Sequence, residues 1–341
     1  MKVEENILLK NYTTLRVGGP ARFFTVISSQ ADILEAIDFA KSSDLPIMPL
    51  GGGSNLVVRD VLSEMLVLKM ENKYVEIISE NFETKTIRVS AGFAWDDFVE
   101  YTVTHRLSGL EAMSMIPGTC GATPVQNVGA YGAEVSDVIK SVRVCDFQSG
   151  KIKEIDAQTC DFSYRDSIFK KKLKGKYLIE SVLFELKKSD PIIPSYPKVP
   201  EVLEEIKKQN KNDSLNLLIR KAIQKIRSEK LPNPKIIPNV GSFFKNSFVD
   251  LEQMELVLQK FPDMPYFHFG DKFKIPAGWL IEKSGLKGFS LNGVSVYSKN
   301  ALVLTNDSAT SADAFLELAT IVQKTVADKF GIHLEIEPEI L

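Results

Sequence analysis

The chain has 341 residues, of which 44% are apolar and 25% charged, and its formal net charge is −2. That length allows about two domains and the composition is that of a globular protein. The near-neutral balance provides no broad field for nucleic acid or an anionic membrane, so an anionic ligand must be met by local groups.

Met1 to Asn6 lack the apolar core of a signal peptide, and no apolar run reaches the roughly 18 residues of a membrane span, so a cytoplasmic protein is expected. Cys120, Cys145 and Cys160 are odd in number and include no C-x-x-C pair. His105, His268 and His333 show no ligand spacing. A disulfide scaffold and a metal centre are both disfavoured.

Phe23 to Ile27 reads as a strand, and Ser29-Gln30-Ala31-Asp32 as a capping-box start to a helix carrying Ile33, Ile37 and Ala40. Leu45 to Met48 lead into Gly51-Gly52-Gly53, after which Leu56-Val57-Val58 reads as a strand. Thr86 to Val89 alternates, and Trp95 to His105 suits a helix with Trp95, Phe98 and Thr102 on one side. Residues 108–136 are rich in Gly, Pro and small residues and keep no period, which in a compact domain usually marks function. Gln148-Ser149-Gly150 between Val142–Val144 and Ile152–Ile155 is a hairpin signal, and Tyr177 to Leu186 reads as a strand. Pro191, Pro194, Pro197 and Pro200 mark a connection. One charged helical stretch is expected over about Glu201 to Lys230, with Leu218, Ala222, Ile223 and Ile226 as its stripe. Further helices are expected near 250–261 and 311–329, the last stopped by Gly331, and an alternating strand over Ile332 to Glu337.

Five segments could carry chemistry. Consecutive glycines in Gly51-Gly52-Gly53-Ser54-Asn55 let backbone N–H groups converge on an anion, or simply make a tight turn. A Rossmann turn is excluded, because Leu56 stands where a glycine is needed and a strand follows in place of a helix. The loop from Ile116 to Gly132 strips side chains from a long backbone stretch and adds the amides of Gln126 and Asn127, which suits a flat polar ligand or a tightly packed loop. In Tyr164-Arg165-Asp166 a permanently charged guanidinium could stabilise a carboxylate or enolate, or form a surface pair with Asp166. Pro238 to Asn246 sets Ser242 beside a glycine, two rings, Lys245 and Asn246. It reads either as a proton-delivering site or as a turn followed by a core-anchoring Phe pair. Strand parity puts Glu335, Glu337 and Glu339 on one face, and a solvated acidic edge is the plain alternative.

In combination these segments resemble the UDP-N-acetylenolpyruvoylglucosamine reductase family. The motifs are Leu50 to Asn55, Ile116-Pro117-Gly118, Gln126 to Gly132, Tyr164 to Ser167, Gly241 to Asn246, Ala277-Gly278-Trp279-Leu280-Ile281 and Glu337-Pro338-Glu339, and the resemblance runs from Asn11-Tyr12-Thr13-Thr14-Leu15 to Glu339. The resemblance implies an α+β fold: a two-subdomain FAD-binding domain of the vanillyl-alcohol-oxidase (PCMH) type plus a separate α+β substrate domain. The expected divisions are 1–75 and 76–214 for the two FAD subdomains, with the C-terminal strand 331–341 packing nearby, and 215–330 for the substrate domain.

By the same resemblance the chain is a UDP-N-acetylmuramate dehydrogenase of peptidoglycan precursor synthesis. It would use non-covalent FAD and NADPH to reduce UDP-N-acetylglucosamine enolpyruvate. The flavin passes hydride from N5 to the vinyl methylene carbon, Arg165 and Glu339 stabilise the enolic intermediate, and Ser242 delivers the proton. The implied flavin contacts are Gly51, Gly52, Gly53, Ser54, Asn55, Leu56, Ile116, Pro117, Gly118, Gly121, Ala122, Gln126, Asn127, Gly129 and Ala130. The implied substrate contacts are Tyr131, Tyr196, Arg227, Lys230, Asn246 and Lys274, with Arg227 and Lys230 on one helical face, and Tyr196 on a loop of the longer, type I form. A monomer with small-molecule partners, no nucleic acid and no membrane is expected. Two departures stand out: the chain stops two residues after Glu339, and Phe267 occupies a position where relatives can hold a tyrosine. Another FAD-linked oxidase of the same fold and a non-catalytic nucleotide-binding regulator are the competing readings.

Overall fold

A capping box opens the first helix. Ser29 Oγ accepts the Asp32 N–H at 3.2 Å, and Asp32 accepts the Ser29 N–H at 2.9 Å. The helix, Gln30–Ser42, buries Ile33, Ala36, Ile37 and Ala40. It connects two strands of a four-stranded sheet whose order is Glu4–Leu8, Pro20–Ile27, Leu66–Met70, Ile47–Leu50, the last two pairings being parallel. Between Met70 and Val75 the chain enters a second sheet of five strands, in the order Ile152–Asp156, Ile139–Asp146, Tyr177–Lys187, Thr84–Ser90, Val75–Glu80. Its strand pairings are antiparallel. Helix Trp95–Thr104 packs beside it: Phe98 and Phe184 lie 5.0 Å apart between ring centroids, and Trp95 tucks against both. The Trp95 indole N–H donates to the Met113 carbonyl at 3.1 Å, so this large buried ring leaves no unpaired donor.

These elements come from a computed structural model that describes residues 1–61 and 64–341. The chain divides into two compact units. The first comprises Met1–Ile7, Ala21–Gly52 and Ser63–Glu229, the second Leu8–Pro20, Gly53–Leu62 and Lys230–Leu341. The second unit holds a four-stranded sheet in the order Asn239–Ser242, Val303–Asn306, Val294–Val296, Ser290–Leu291, and a three-stranded one in the order Ser247–Val249, Lys272–Ile275, Phe267–Phe269. Helices Leu251–Lys260, Ala277–Lys283 and Ala312–Phe330 complete it. Gly331 caps the last of these in the left-handed conformation, as its position predicts. Phe243, Phe244 and Phe315 are fully buried in this second core. The fold is α+β, as expected, with helices and strands in both units.

Four sequence expectations differ from the structure. The single helical stretch over 201–230 is two helices, Lys198–Gln209 and Leu215–Lys230. Asn210, Asp213 and Ser214 interrupt it because short polar side chains compete for backbone partners. Lys221 then ties the break to the second helix by donating to Asn210 Oδ1 and Asp213 Oδ2, each at 2.7 Å. Pro200 lies inside the first turn of a helix and not in the connection, where its missing N–H would be an unpaired donor anyway. The strand expected over Ile332 to Glu337 does not form, and a two-residue strand, Glu339–Ile340, lies beyond it. Residues 335–337 lie extended beside Phe243–Lys245 with a single bridge, Phe244 to Ile336.

Unit boundaries also fall elsewhere. Helix Leu215–Lys230, expected to open the substrate domain, belongs to the first unit as far as Glu229. Buried Asn216 holds it there by donating to Glu111 Oε1 at 2.7 Å and Ser108 Oγ at 2.9 Å. The C-terminal segment 331–341, expected to pack near the flavin subdomains, reaches Leu56–Val57 of the expected 1–75 division, and both lie in the second unit. There Glu339–Ile340 pairs in parallel with Leu56–Val57. Phe184→Ala empties the centre of the first core and is expected to lower unfolding free energy by about 3–5 kcal/mol in urea titration. A loss below about 1 kcal/mol would contradict this account of the core.

Candidate active site

In the first unit the strand Ile47–Leu50 runs out into Gly51 and Gly52. A Cβ on Gly51 would lie 2.5 Å from Thr119 Oγ1, and one on Gly52 would lie 2.8 Å from the Gly118 Cα. The glycine turn and the loop Ile116–Gly132 therefore pack backbone to backbone, which no larger residue permits. Among the described residues no protein acceptor takes the Gly52 N–H, leaving a donor for a ligand. Lys69 donates to the Gly51 carbonyl at 2.9 Å from the adjacent strand, and burial lowers its ammonium pKa. The loop is pinned from below: Cys120 N–H donates to the Phe93 carbonyl at 2.9 Å and Gly121 N–H to the Ala91 carbonyl at 3.0 Å.

Left-handed backbone marks the rest of this half. Asn127, Tyr131 and Arg165 have φ of +46°, +53° and +55°. For side chains with a Cβ such values persist only where surroundings over-determine them, and they concentrate at functional sites. Tyr131 and Gly132, both at positive φ, form the two-residue turn of a hairpin between Gly129–Ala130 and Ala133–Glu134. The Asn127 side chain, expected among the flavin-lining amides, is instead fully buried. Its Nδ2 donates to Glu134 Oε2 at 2.7 Å and to the Ser163 carbonyl at 3.2 Å, and its Oδ1 accepts the Ser136 N–H at 3.1 Å. What Asn127 offers Arg165 is its backbone carbonyl. Arg165 sits in a tight turn closed by reciprocal Ser163–Asp166 backbone bonds, and its guanidinium donates to the Gly129 carbonyl at 2.7 Å and the Asn127 carbonyl at 3.4 Å. Asp166, its expected partner in the plain reading, pairs with Lys171 at 2.6 Å.

Three expected substrate residues meet in this unit. The Tyr131 and Tyr196 rings pack edge to face with centroids 5.1 Å apart. Arg227 hydrogen-bonds Tyr131; burial pushes the Arg227 pKa down and that of the Tyr131 phenol up. The Arg227 Nε–H is buried and has no protein acceptor among the described residues. Lys230 is the last residue of the same helix. A separate cavity of about 330 Å³, lined by Ile37, Lys41, Leu45 and Phe147, contains none of the expected site residues.

In the second unit Ser242 ends strand Asn239–Ser242, half-buried and paired with Val303. A register irregularity falls between Asn239 and Ser242. There Gly241 takes φ +74°, and its N–H donates to Asn239 Oδ1 at 2.9 Å. Bulges of this kind re-aim a side chain, and here the re-aimed one is the hydroxyl. Phe243 and Phe244 are core anchors, and Lys245 pairs with Glu335 at 3.0 Å, so neither the rings nor that cation remain for a ligand. Asn246 Oδ1 accepts the Ala277 N–H at 3.1 Å, while Lys274 lies 5.8 Å from the Phe267 ring centre. Glu339 is set beside Asn55 and Leu56: its N–H donates to the Asn55 carbonyl at 3.0 Å, and it pairs with Leu56. Gly53 takes φ +60°, with the Tyr12 carbonyl oxygen 2.1 Å from where a Cβ would stand.

Sequence reading passed over two supports. Thr14 links the glycine turn to the serine strand, donating through its N–H to the Gly53 carbonyl at 3.0 Å and through its hydroxyl to the Asn239 carbonyl at 2.6 Å. Lys69 lies inside an apolar strand run, and its only sequence signal is a lone charge among Leu66, Val67, Leu68 and Met70. Of the expected catalytic set, Arg165 belongs to the first unit and Ser242 and Glu339 to the second.

Two family models match: "FAD binding domain" over residues 21–156 and "UDP-N-acetylenolpyruvoylglucosamine reductase, C-terminal domain" over residues 232–341. The chain is 40% identical over 344 aligned positions to the UDP-N-acetylenolpyruvoylglucosamine reductase of Pseudomonas aeruginosa, covering 100% of this chain and 99% of that protein. It is 38% identical to the same-named protein of Bdellovibrio bacteriovorus, covering 99% of each. A crystal structure of UDP-N-acetylenolpyruvylglucosamine reductase from Thermus caldophilus superposes with a TM-score of 0.70 at 23% identity, covering 100% of this chain and 99% of that one, and so shares the fold.

The glycines differ in what they protect. Gly132→Ala meets open space and only the positive φ, and should cost about 1 kcal/mol in thermal unfolding. Gly53→Ala drives a methyl into the Tyr12 carbonyl and should cost at least about 3 kcal/mol. Equal losses at the two positions would refute this distinction.

Proposed function

This chain belongs to the UDP-N-acetylenolpyruvoylglucosamine reductase family, and from that premise we propose that it reduces UDP-N-acetylglucosamine enolpyruvate to UDP-N-acetylmuramate with NADPH, in the cytoplasm, as a step of peptidoglycan precursor synthesis. It is an FAD-dependent oxidoreductase. The observation that carries the reading is the Arg165 guanidinium. It is held on backbone carbonyls of Asn127 and Gly129 by a turn whose left-handed backbone fixes its direction. A permanently charged, pre-aimed donor suits charge that appears only during reaction.

The backbones of Gly51, Gly52, Gly53, Ser54, Asn55 and Leu56, and of Ile116, Pro117, Gly118, Gly121 and Ala122, would hold FAD, joined by Gln126, Asn127, Gly129 and Ala130. The unclaimed Gly52 N–H and the missing side chains fit a diphosphate approached closely by backbone. No histidine lies in these segments and their one cysteine, Cys120, is fully buried, which suits non-covalent attachment. Bound FAD would supply hydride chemistry, relaying two electrons and a proton from NADPH to the sugar substrate.

The protein's own groups then manage the charge and the proton. Hydride addition leaves negative charge on the adjacent carbon and its carboxylate, and Arg165 and Glu339 stabilise that enolic species. Ser242 transfers its hydroxyl proton to the carbanionic carbon. A serine is a weak acid, but an enolate-like carbon is a strong base, so placement decides the rate. The bulge at Gly241 and the buried Phe243 and Phe244 on either side fix that placement. Tyr131, Tyr196, Arg227, Lys230, Asn246 and Lys274 bind the nucleotide sugar. The buried Arg227 Nε–H awaits an acceptor that an anionic substrate oxygen provides.

Purified protein should be yellow with dissociable flavin, and NADPH oxidation should depend on the enolpyruvyl sugar. Substrate-independent reoxidation by oxygen would instead indicate an oxidase of the same fold. Ser242→Ala should leave flavin reduction by NADPH intact and slow reoxidation by the enolpyruvyl sugar at least about 100-fold in stopped flow. Reoxidation at the parental rate would remove Ser242 from the mechanism.

A further inference from the structure

Asp96 stands in the first turn of helix Trp95–Thr104 and holds two distant pieces of the first unit. Its Oδ1 accepts the Met115 N–H at 2.6 Å and Arg220 Nη1 at 2.6 Å, and its Oδ2 accepts Arg220 Nη2 at 3.1 Å. Arg220 is almost wholly buried while the Asp96 side chain is 34% exposed, and the two-pronged geometry defines the pair's direction. Glu100 Oε2 adds a second, longer approach to Arg220 at 3.8 Å.

Met115 is the unusual partner. It takes φ +59°, a left-handed backbone that a side chain with a Cβ avoids unless something enforces it. Its N–H is fixed by Asp96, and its carbonyl accepts from Arg227 Nη2 at 3.3 Å. Arg227 follows Arg220 by about two turns of the same helix, which places both on one face. Arg227 also bonds Tyr131, whose ring packs on Tyr196, and it keeps a buried Nε–H without a protein acceptor among the described residues. One carboxylate thus orders both the helix that carries Arg227 and the carbonyl that receives it. Neither Asp96 nor Arg220 belongs to any motif of the family resemblance.

We propose that Asp96 and Arg220 are a positioning pair for the sugar-nucleotide site, locking the Met115 peptide so that its carbonyl aims the Arg227 guanidinium at the anionic substrate. This rests on the substrate role of Arg227 proposed above. The pair stays clear of the reacting atoms. Its loss should therefore weaken binding of the enolpyruvyl sugar and spare the reaction with NADPH, whereas a merely structural role would impair both together.

The test uses the FAD-loaded protein, with UDP-N-acetylglucosamine enolpyruvate in steady state and NADPH alone in stopped flow. Parental protein that ignores the enolpyruvyl sugar overturns the proposed activity itself, and this inference with it, before any variant is compared. With parental turnover in hand, Asp96→Ala should raise KM for the enolpyruvyl sugar about 10-fold and change flavin reduction by NADPH less than about 2-fold. Asp96→Asn retains an oxygen for the Met115 N–H but turns an amide N–H toward Arg220 Nη2, so it should recover only part of that KM. Lys225→Ala, on the helix that carries Arg220, removes an exposed ion pair with Glu205 of the preceding helix and should leave KM unaltered. Should Asp96→Ala not accumulate as folded protein, Arg220→Gln measured by the same split decides. An unchanged KM, a parallel decline of both half-reactions, or no recovery in Asp96→Asn overturns the proposal.

Discussion

The buried amide of Asn127 is the constraint on which the charged half of the site depends. Its three hydrogen bonds join Glu134, Ser136 and the Ser163 carbonyl, and so fasten together the glycine-rich loop, the segment after its hairpin and the turn that carries Arg165. Positive φ values at Asn127, Tyr131 and Arg165 accompany that fastening, the last two within a hairpin turn and a closed four-residue turn. Each would relax in a free chain at a gain of about 1–3 kcal/mol, so the buried bonds must outweigh the strain. The return is direction. Arg165 cannot swing away from the Gly129 carbonyl without disturbing a turn that closes on itself.

The second unit reaches a comparable end by different means. A two-residue parallel pairing sets Glu339 beside Asn55, and Thr14 bonds both the Gly53 carbonyl and the Asn239 carbonyl. Ser242 is turned out of a regular strand by the irregularity at Gly241, while Phe243 and Phe244 hold the backbone in the core. The rings that follow the serine are anchors, and their burial is what makes the hydroxyl's position repeatable.

Much of the fold was legible because short-range physics fixes it. Ser29 and Asp32 cap a helix, Gly331 ends one, and the alternation over Thr86–Val89 and the apolar run within Tyr177–Leu186 make strands, wherever these segments lie. The helix over 201–230 was misjudged because its charged composition hides the Asn210–Ser214 interruption, which only caps and Lys221 contacts reveal. The terminal strand was overestimated because alternation reports burial on one side and says nothing about whether a neighbour offers a full ladder. Residues 332–335 do alternate between buried and exposed, yet the bridge in this stretch is that of the next residue, Ile336, with Phe244.

By itself the sequence determined the chemistry on offer: a non-Rossmann glycine turn, a permanently charged Arg165, a serine behind a glycine and a run of glutamates, in the order that marks the family. Residue type and local spacing suffice for that, since donors, acceptors and charges are properties of single side chains. The tertiary structure alone decided which members of each set face inward or outward. It took the Asn127 side chain into the protein, gave Lys245 to Glu335, separated Glu339 from Glu335 by pairing it with Leu56, and brought Asp96, Met115, Arg220 and Arg227 into one network. Those assignments depend on contacts between residues far apart in the chain, and no local pattern encodes the geometry of a hydrogen bond whose partner lies in another element.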